Sequence, residues 1–339
     1  MKRHTRIILF ALFNAAVIGT TAFFDFRTDS QGISRDDLLG IDPRCILLVF
    51  TCFVVAMGAD TLKYRLTLGG MTGRRAPLPL AFKVAALGKY YDNITPFGAG
   101  GQPFQINYLM KRGYPAGEAG GAVVAGFLSC QFAFIFIAIP VFIFGSGVVD
   151  TAALLAPAVL GFLFYAFVPV AAVLFIVSPA LTGKALGALL SAGRKLRIVK
   201  EPDALRQRAL SALAASRKAI TDLTRDIRLT TAVFLLAITY RIAMCSMPFF
   251  VLRTFGSELD YISVFCTCVF IYLCITFIPT PGNSGVAEGS FYAFFSALEQ
   301  DNLFWIMLTW RFFCYYLFIL TGFAVISLDR PGEEKAGGR

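Results

Sequence analysis

The sequence predicts an all-α polytopic membrane protein with six full transmembrane helices and two opposed re-entrant hairpins. Hydrophobic residues make up 57% of the 339-residue chain and charged residues only 15%, a balance far from that of soluble domains. Apolar blocks of membrane-spanning length alternate with basic segments. Two further apolar segments are interrupted by glycine, proline and small polar residues, and these interruptions predict the hairpins.

Six apolar blocks are long enough to cross the hydrocarbon core, which takes about 20 helical residues. They lie at about 6–24, 44–60, 117–144, 151–178, 229–252 and 303–327. The first block follows a basic head and resembles a signal peptide, but it is long enough to span and no convincing cleavage site follows it. We therefore expect an uncleaved first helix.

Lysine and arginine mark one side of the membrane. They occur at Lys2, Arg3 and Arg6, at Lys63, Arg65, Arg74, Arg75 and Lys83, and eleven times between 184 and 228, whereas the loops 145–150 and 253–261 hold only Arg253. The positive-inside rule then predicts that both termini are cytoplasmic. The same rule accounts for the net charge of +10 without nucleic acid as a partner.

The first interruption runs from Thr95 to Pro103, and its predicted break residues are Pro96, Gly98, Gly100 and Gly101. Irregular backbone at membrane depth persists only where protein or a wet cavity satisfies its polar groups. Lys83 precedes this segment and Lys111 follows it. We expect a hairpin that enters and leaves on the cytoplasmic side.

The second interruption runs from Pro279 to Gly289, and its predicted break residues are Pro279, Pro281, Gly282 and Gly285. No lysine or arginine occurs from 254 to 310, so we expect both ends of this hairpin to be external. Its return arm, about 285–298, would be about 21 Å long as a helix, too short to cross. The alternative makes 262–278 a full span and places the C-terminal tail outside.

The two hairpins would meet near the midplane, the geometry of carriers built from inverted repeats. No repeat is detectable in the sequence. We treat 1–328 as one membrane domain with a cytoplasmic basic insert at about 180–228 and a cytoplasmic tail at 329–339. Residues 203–228 of the insert have helical apolar spacing between basic residues, which fits either a helix on the inner membrane surface or a solvated helix.

Two arginines, Arg241 and Arg311, lie inside predicted spans. Each costs about 2.5–3.5 kcal/mol at the centre of the membrane on insertion scales, so each needs a partner or a wet cavity. The carboxylates at similar depth are Glu288 and Asp92. Lys89 and Asp92 are three residues apart, a spacing that would let them neutralise each other on a helix.

These charges allow two interpretations. The arginines either only pair with Glu288 and Asp92 to hold helices together, or they release them to bind an anionic group, since guanidinium suits phosphate. The N-terminus of the half-helix after Gly282 would add positive potential. We expect Thr95, Gln102, Asn283 and Ser284 to complete a polar path for a phospholipid headgroup.

Other chemistry has little support in the sequence. The only histidine, His4, lies in the N-terminal tail, and the eight cysteines fall in apolar segments without a metal-like spacing. We therefore expect no catalytic residue, no metal site and no cofactor.

The motifs Ile94–Gln105, with Lys111-Arg112-Gly113 after it, and Pro279–Glu288, with Trp310-Arg311 after it, resemble the transmembrane, flippase-like region of bacterial lysylphosphatidylglycerol synthases, the multiple peptide resistance factor family. The resemblance covers about 6–328. It implies a bacterial inner-membrane protein that moves an anionic or aminoacylated phospholipid between leaflets, with no enzymatic activity in this region.

This chain departs from the full-length pattern of that family. Only Asp329–Arg339 follow the last block, so we expect the lysyltransferase domain to be absent and a phosphatidylglycerol lysyltransferase label to describe relatives. Many members carry an arginine and a glutamate at the first break, where this chain has Gly101-Gln102. An alternative function is a membrane partner of a separately encoded lipid-modifying enzyme.

Overall fold

The computed structural model describes residues 42–95, 98, 100–145, 152–178, 226–276, 280, 282–296, 298 and 302–329, with a few isolated positions between 183 and 225. This part of the chain is helical, and no strand occurs within it. The predicted first span at 6–24, most of the basic insert and the tail beyond Asp329 lie outside the described residues.

Ten α-helices and one π-helical turn are described. They are α1 Pro43–Thr72, α2 Leu78–Ile94, α3 Gly101–Lys111, α4 Ala116–Phe144, α5 Ala152–Val177, α6 Ile227–Thr254, α7 Tyr261–Ile275, α8 Val286–Phe295, α9 Leu303–Arg311, the π-turn Phe312–Tyr316 and α10 Leu317–Leu328.

Within the described ranges, four helices have the length and hydropathy to cross a membrane: α1, α4, α6 and the continuous segment Leu303–Leu328. They correspond to four of the six predicted blocks. The block predicted at 151–178 is also one helix, α5. The protein is therefore a membrane protein, and the described part of its chain is helical throughout its regular structure.

The block predicted at 44–60 is too short by about three turns. Helix α1 continues to Thr72 and ends at Gly73, whose φ of 67° is left-handed. Lys63, assigned from the sequence to a basic loop, is 2% exposed inside this helix beside Asp60 at 1%. The carboxylate of Asp60 forms an ion pair with the Lys63 ammonium one turn away, so the charge that marked a loop is neutralised within the bundle.

Aspartates begin three of the helices. Asp42 accepts a hydrogen bond from the Arg44 N–H at 2.9 Å, Asp226 accepts from Arg228 and Leu229 at 3.1 Å, and Asp260 accepts from Ser263 at 3.0 Å. Side chains of this type satisfy backbone donors that a first helical turn leaves free. The hydrogen bonds from Ser263 also lower the pKa of Asp260.

Glycines allow the helices to pack closely. A side-chain carbon on Gly322 of α10 would collide with Tyr90 and with the Ala86 carbonyl of α2, and one on Gly161 of α5 would collide with the Leu273 carbonyl of α7. Small residues at helix contacts are typical of membrane bundles, where close packing rather than burial from water drives association.

The two interrupted segments each form a pair of short helices. Helices α2 and α3 pack against each other on either side of 95–100, and α7 and α8 do so on either side of 276–285. Helix α7 has 15 residues and α8 has 10, so they are about 22 and 15 Å long. Neither reaches the 30 Å of a full span.

An acidic residue ties the base of the first pair to the end of the last helix. Asp329, just after α10, accepts two hydrogen bonds of 2.6 Å from the Arg112 guanidinium and lies 3.1 Å from the Lys83 ammonium. We call this group of three residues the Asp329 clamp. It joins α10 to both arms of the first pair.

Candidate functional site

The two interruptions lie against each other. Gly282 has a φ of 59°, and a side-chain carbon there would collide with Tyr315 and would lie 2.5 Å from the Asn93 carbonyl oxygen. The Tyr315 hydroxyl donates to this same Asn93 oxygen at 3.1 Å. Only glycine combines the left-handed backbone with so close an approach.

The first interruption is held by its own side chains. Thr95 donates to the Tyr91 carbonyl at 2.7 Å and accepts from the Gly100 N–H at 2.9 Å. Asp92 accepts from the Gly101 N–H at 2.8 Å. These contacts satisfy backbone groups that the break would otherwise leave free, as irregular backbone at membrane depth requires.

The second interruption is held by an ion pair. Arg311 Nε donates to one oxygen of Glu288 at 2.7 Å and Arg311 Nη2 donates to Ser284 Oγ at 3.2 Å. The other oxygen of Glu288 accepts from the Gly285 N–H at 2.7 Å. Both charged residues are buried. Of the ion pairs that the first interpretation allows between the two arginines and Glu288 or Asp92, the one between Arg311 and Glu288 is present.

The same contact changes the role expected for the half-helix. The carboxylate of Glu288 occupies the N-terminal end of α8, where the helix dipole and free N–H groups favour an anion. The positive end of this helix is therefore already neutralised by the chain itself and is not a free site for an external anion.

A π-helical turn follows Arg311 directly, at Phe312–Tyr316. Such turns are frequent at functional sites in membrane and soluble proteins. This one places the Arg311 guanidinium 4.4 Å from the centre of the Tyr315 ring. No sequence signal predicted it.

A cavity of about 140 Å³ opens where the interruptions meet. Four charged residues line it: Lys89, Asp92, Arg241 and Arg311. The remaining lining is polar and aromatic in part, with Asn93, Asn283, Tyr240, Tyr272, Trp310 and Tyr315 among it. Cationic side chains thus outnumber acidic ones on its walls by three to one.

Arg241 has no carboxylate partner within the described residues. Its Nη2 donates to the Tyr165 hydroxyl at 2.8 Å, and its guanidinium lies 4.8 Å from the centre of the Phe134 ring. The expected ion pair of Arg241 with Asp92 or Glu288 is wrong, because Asp92 bonds the Gly101 backbone and Glu288 bonds Arg311. Aromatic faces stabilise this half-buried cation instead.

Lys89 also differs from expectation. Its ammonium lies 4.2 Å from the centre of the Tyr240 ring, and no ion pair joins it to Asp92, although the two are one helical turn apart. The Arg241 guanidinium lies 5.7 Å from the centre of the same Tyr240 ring. Two cations without a carboxylate partner in the described structure therefore flank one tyrosine and line one cavity.

Three residues that line the cavity carry buried polar atoms without a hydrogen-bond partner in the described part of the chain. These atoms are Arg241 Nε, Tyr272 Oη and Trp310 Nε1. An unsatisfied buried polar group costs about 1–3 kcal/mol. All three can donate a hydrogen bond, so this wall is suited to an acceptor-rich ligand.

The other predicted residues are less central. Asn283 lines the cavity with a left-handed φ of 56°, while Gln102 is half-buried on α3 and does not line it. Gly98 has a left-handed φ of 61°. Pro96, Pro279 and Pro281 lie outside the described residues.

Sequence reasoning missed a buried glutamine beside the one it chose. Gln105 of α3 donates to the Val84 carbonyl at 2.8 Å, and its carbonyl oxygen accepts from the Tyr64 hydroxyl at 3.3 Å. A side-chain carbon on Gly88 would collide with the Gln105 amide. Gln105, rather than Gln102, therefore joins the first helix pair to α1.

The fold and the site define a class: a helical membrane protein in which two interrupted helices meet at a cation-lined cavity. The model of the lysylphosphatidylglycerol synthase TM region matches residues 7–322. The chain therefore belongs to this family, and its function is related to membrane lipid. No curated protein matches the chain significantly.

Proposed function

We propose that this protein moves an anionic or aminoacylated phospholipid between the two leaflets, with the headgroup bound in the cavity between the interruptions. The observation that carries the proposal is the position of Lys89 and Arg241. Both line the cavity and both flank Tyr240. Among the described residues, no direct ion pair joins either of them to a carboxylate. A cation at membrane depth that has no carboxylate in direct contact is costly unless a ligand or a wet cavity stabilises it.

The chemistry of the two cations fits a phosphate. A guanidinium presents several donors in one plane to phosphate oxygens, and an ammonium adds a compact point charge. Arg241 keeps Nε free of other described partners, and Trp310 offers a further donor in the same wall. The lipid phosphate would bind Arg241 and Lys89 together.

Asp92 is the acidic residue on the cavity wall, and one of its oxygens is used by Gly101. Its carboxylate would bind the amino group of an aminoacylated headgroup. Glu288 has a different role, because it holds Arg311 and the second interruption closed. Release of this pair would supply a third cation during transport.

We propose six full spans and two hairpins that enter from opposite faces, with both termini cytoplasmic in a bacterial inner membrane. The short lengths of α7 and α8 support half-crossings. The contact of Gly282 with Asn93 supports tips that meet within the bundle. In this arrangement, rearrangement of one hairpin against the other would expose the cavity to each side in turn.

Reconstitution with fluorescent phospholipids of several headgroups tests the proposal. Wild type should move anionic lipids between leaflets faster than empty liposomes. Arg241→Gln and Lys89→Met should each slow this about tenfold or more, since a hydrogen bond to a charged group contributes about 1.5–3 kcal/mol. Arg253→Gln is the matched control, because Arg253 is an exposed arginine on the same helix.

Two results would overturn the proposal. One is wild-type movement no faster than in empty liposomes for every headgroup. The other is equal rates for Arg241→Gln and Arg253→Gln.

A further inference from the structure

A second cavity lies on the outer side of α1, between α1, α2 and α10. It has a volume of about 740 Å³ and apolar walls, and Phe53, Met57, Gly58, Thr61, Phe82 and Thr321 lie along it. We call it the α1 groove. Several of its rim residues are exposed, including Val54, Leu62 and Phe82, so the groove opens to the surroundings of the bundle.

One layer of aromatic rings separates the α1 groove from the charged cavity. Phe318 lines the charged cavity and Phe53 lines the groove. Their ring centres are 4.8 Å apart in an edge-to-face contact. Both rings are buried, so a molecule with a charged end and an apolar chain would fill both spaces only when these two rings move apart.

The dimensions of the groove fit one acyl chain. Phe53 and Leu62 mark its extent on α1, and nine residues of helix rise about 14 Å. The hydrocarbon core is about 30 Å thick, so one leaflet contributes about 15 Å of chain. The length of the groove therefore matches the thickness of the acyl-chain region of one leaflet.

A buried hydroxyl gives a second, independent indication of a ligand. Thr61 lines the groove and is 5% exposed, yet its Oγ1 has no hydrogen-bond partner in the described part of the chain. Other threonines of the spans, such as Thr51 and Thr239, donate to the carbonyl four residues earlier. The free donor at Thr61 suits an ester carbonyl, an acceptor that a glycerolipid carries at the head of each acyl chain.

We propose that the α1 groove binds an acyl chain of the same lipid whose headgroup occupies the charged cavity. This inference rests on the proposed function and adds to it the position of the lipid tail. The bound lipid would lie across the Phe53–Phe318 pair, with its phosphate at Arg241 and its chain along α1. An acyl chain of the bulk bilayer in the same groove would not depend on Arg241.

Gly58 provides the means to close the groove. A side-chain carbon at Gly58 meets nothing within 4 Å, so Gly58→Phe would fill the groove without a collision at its base. Gly58→Ala is the matched control, because it adds a carbon in the same place and leaves the groove open. Thr61→Val removes the hydroxyl and keeps the shape.

The probe is phosphatidylglycerol with a diazirine in one acyl chain, added to the purified full-length protein, with cross-linked peptides identified by mass spectrometry. Cross-links should form with residues of the α1 groove in wild type and Gly58→Ala. The yield of these cross-links should decrease about tenfold in Gly58→Phe, because the acyl chain loses the burial of several methylenes. The yield should also decrease in Arg241→Gln, which is remote from the groove.

Glycerophosphoglycerol, which has no acyl chain, separates this inference from the proposed function. It should raise the thermal stability of wild type and Gly58→Phe equally and leave Arg241→Gln unchanged. Stabilisation without labelling of the groove would overturn the inference alone. Groove labelling that persists in Arg241→Gln would also overturn it, as would cross-linking of Gly58→Cys to residues 1–41. If wild type showed neither stabilisation by glycerophosphoglycerol nor cross-links in the α1 groove, the proposed function would be overturned.

Discussion

The three cations that line the cavity are stabilised in three different ways. Arg311 has a carboxylate partner, Arg241 has a tyrosine hydroxyl and aromatic faces, and Lys89 has one tyrosine ring. An ion pair holds its cation in place, whereas a ring face leaves the donors of the cation available. This difference separates the cation that closes the site from the two that would bind a ligand.

Glu288→Gln should destabilise the protein strongly. The variant keeps the size of the side chain but leaves Arg311 buried without its counter-ion, a loss of about 3–5 kcal/mol for a broken buried pair. The unfolding midpoint in detergent, followed by tryptophan fluorescence, measures it. Adding Arg311→Met should restore much of the lost stability, because no unpaired charge then remains. If Glu288→Gln alone were as stable as wild type, the structural role of the ion pair would be contradicted.

Residue identities predicted part of the site. The chain offers few carboxylates at membrane depth, so Glu288 and Asp92 could be named from the sequence as possible partners of Arg241 and Arg311, but not which carboxylate binds which arginine. The partner of Arg241 could not be found in this way, since Tyr165 lies on another helix and hydropathy carries no distances. Lys89 acts on the Asp92 carboxylate only at a distance and forms no direct ion pair with it, because a break follows Asp92 and the N–H of Gly101 binds its carboxylate.

At the scale of elements, the Asp329 clamp joins the last span to the first hairpin. Burial alone would raise the pKa of Asp329, but hydrogen bonds from Arg112 and Lys83 outweigh it and hold this pKa below its ordinary value. A carboxyl with a lowered pKa stabilises the fold above the pKa of the unfolded state, about 3.9, and this stabilisation is lost as the pH falls through the lower, folded pKa.

Asp329→Asn should lower the free energy of unfolding at pH 7 by an amount on the order of 1 kcal/mol, because two charge-assisted contacts lose the negative charge of their acceptor. The unfolding midpoint should fall accordingly. The gap between wild type and variant should close as the pH falls below about 4. Unfolding midpoints at pH 7, 5 and 3 measure it. A gap that stays constant across this range would show that the charge of Asp329 does not stabilise the fold.

The elements themselves were largely predictable, and their ends were not. Apolar blocks gave the positions of α4, α5, α6 and the last span, because hydrocarbon demands long apolar runs. The end of α1 was missed by about three turns because Asp60 and Lys63 neutralise each other inside the bundle. A hydropathy pattern assigns these charged residues to a loop, since it takes no account of ion pairs between side chains.

The whole molecule makes a prediction about topology. In a background without the eight native cysteines, Glu258→Cys, at an exposed position, and Gln300→Cys should react with a membrane-impermeant reagent from outside. Ala116→Cys and Gly332→Cys should react only from the cytoplasmic side. A cytoplasmic residue 300 would contradict the second hairpin and would favour a full span at 262–278.

The π-turn at Phe312–Tyr316 has a consequence for the last span as a whole. Each residue of an α-helix turns the chain by about 100°, so one extra residue rotates everything after it by that angle. Before the turn, Trp310 and Arg311 face the cavity; after it, Gly322 packs against Tyr90 of α2. The turn acts as an angular offset that lets the first half of the helix pack on α6 and α8 while the second half packs on α2, and deletion of a single residue there would rotate the two halves relative to each other by about 100°.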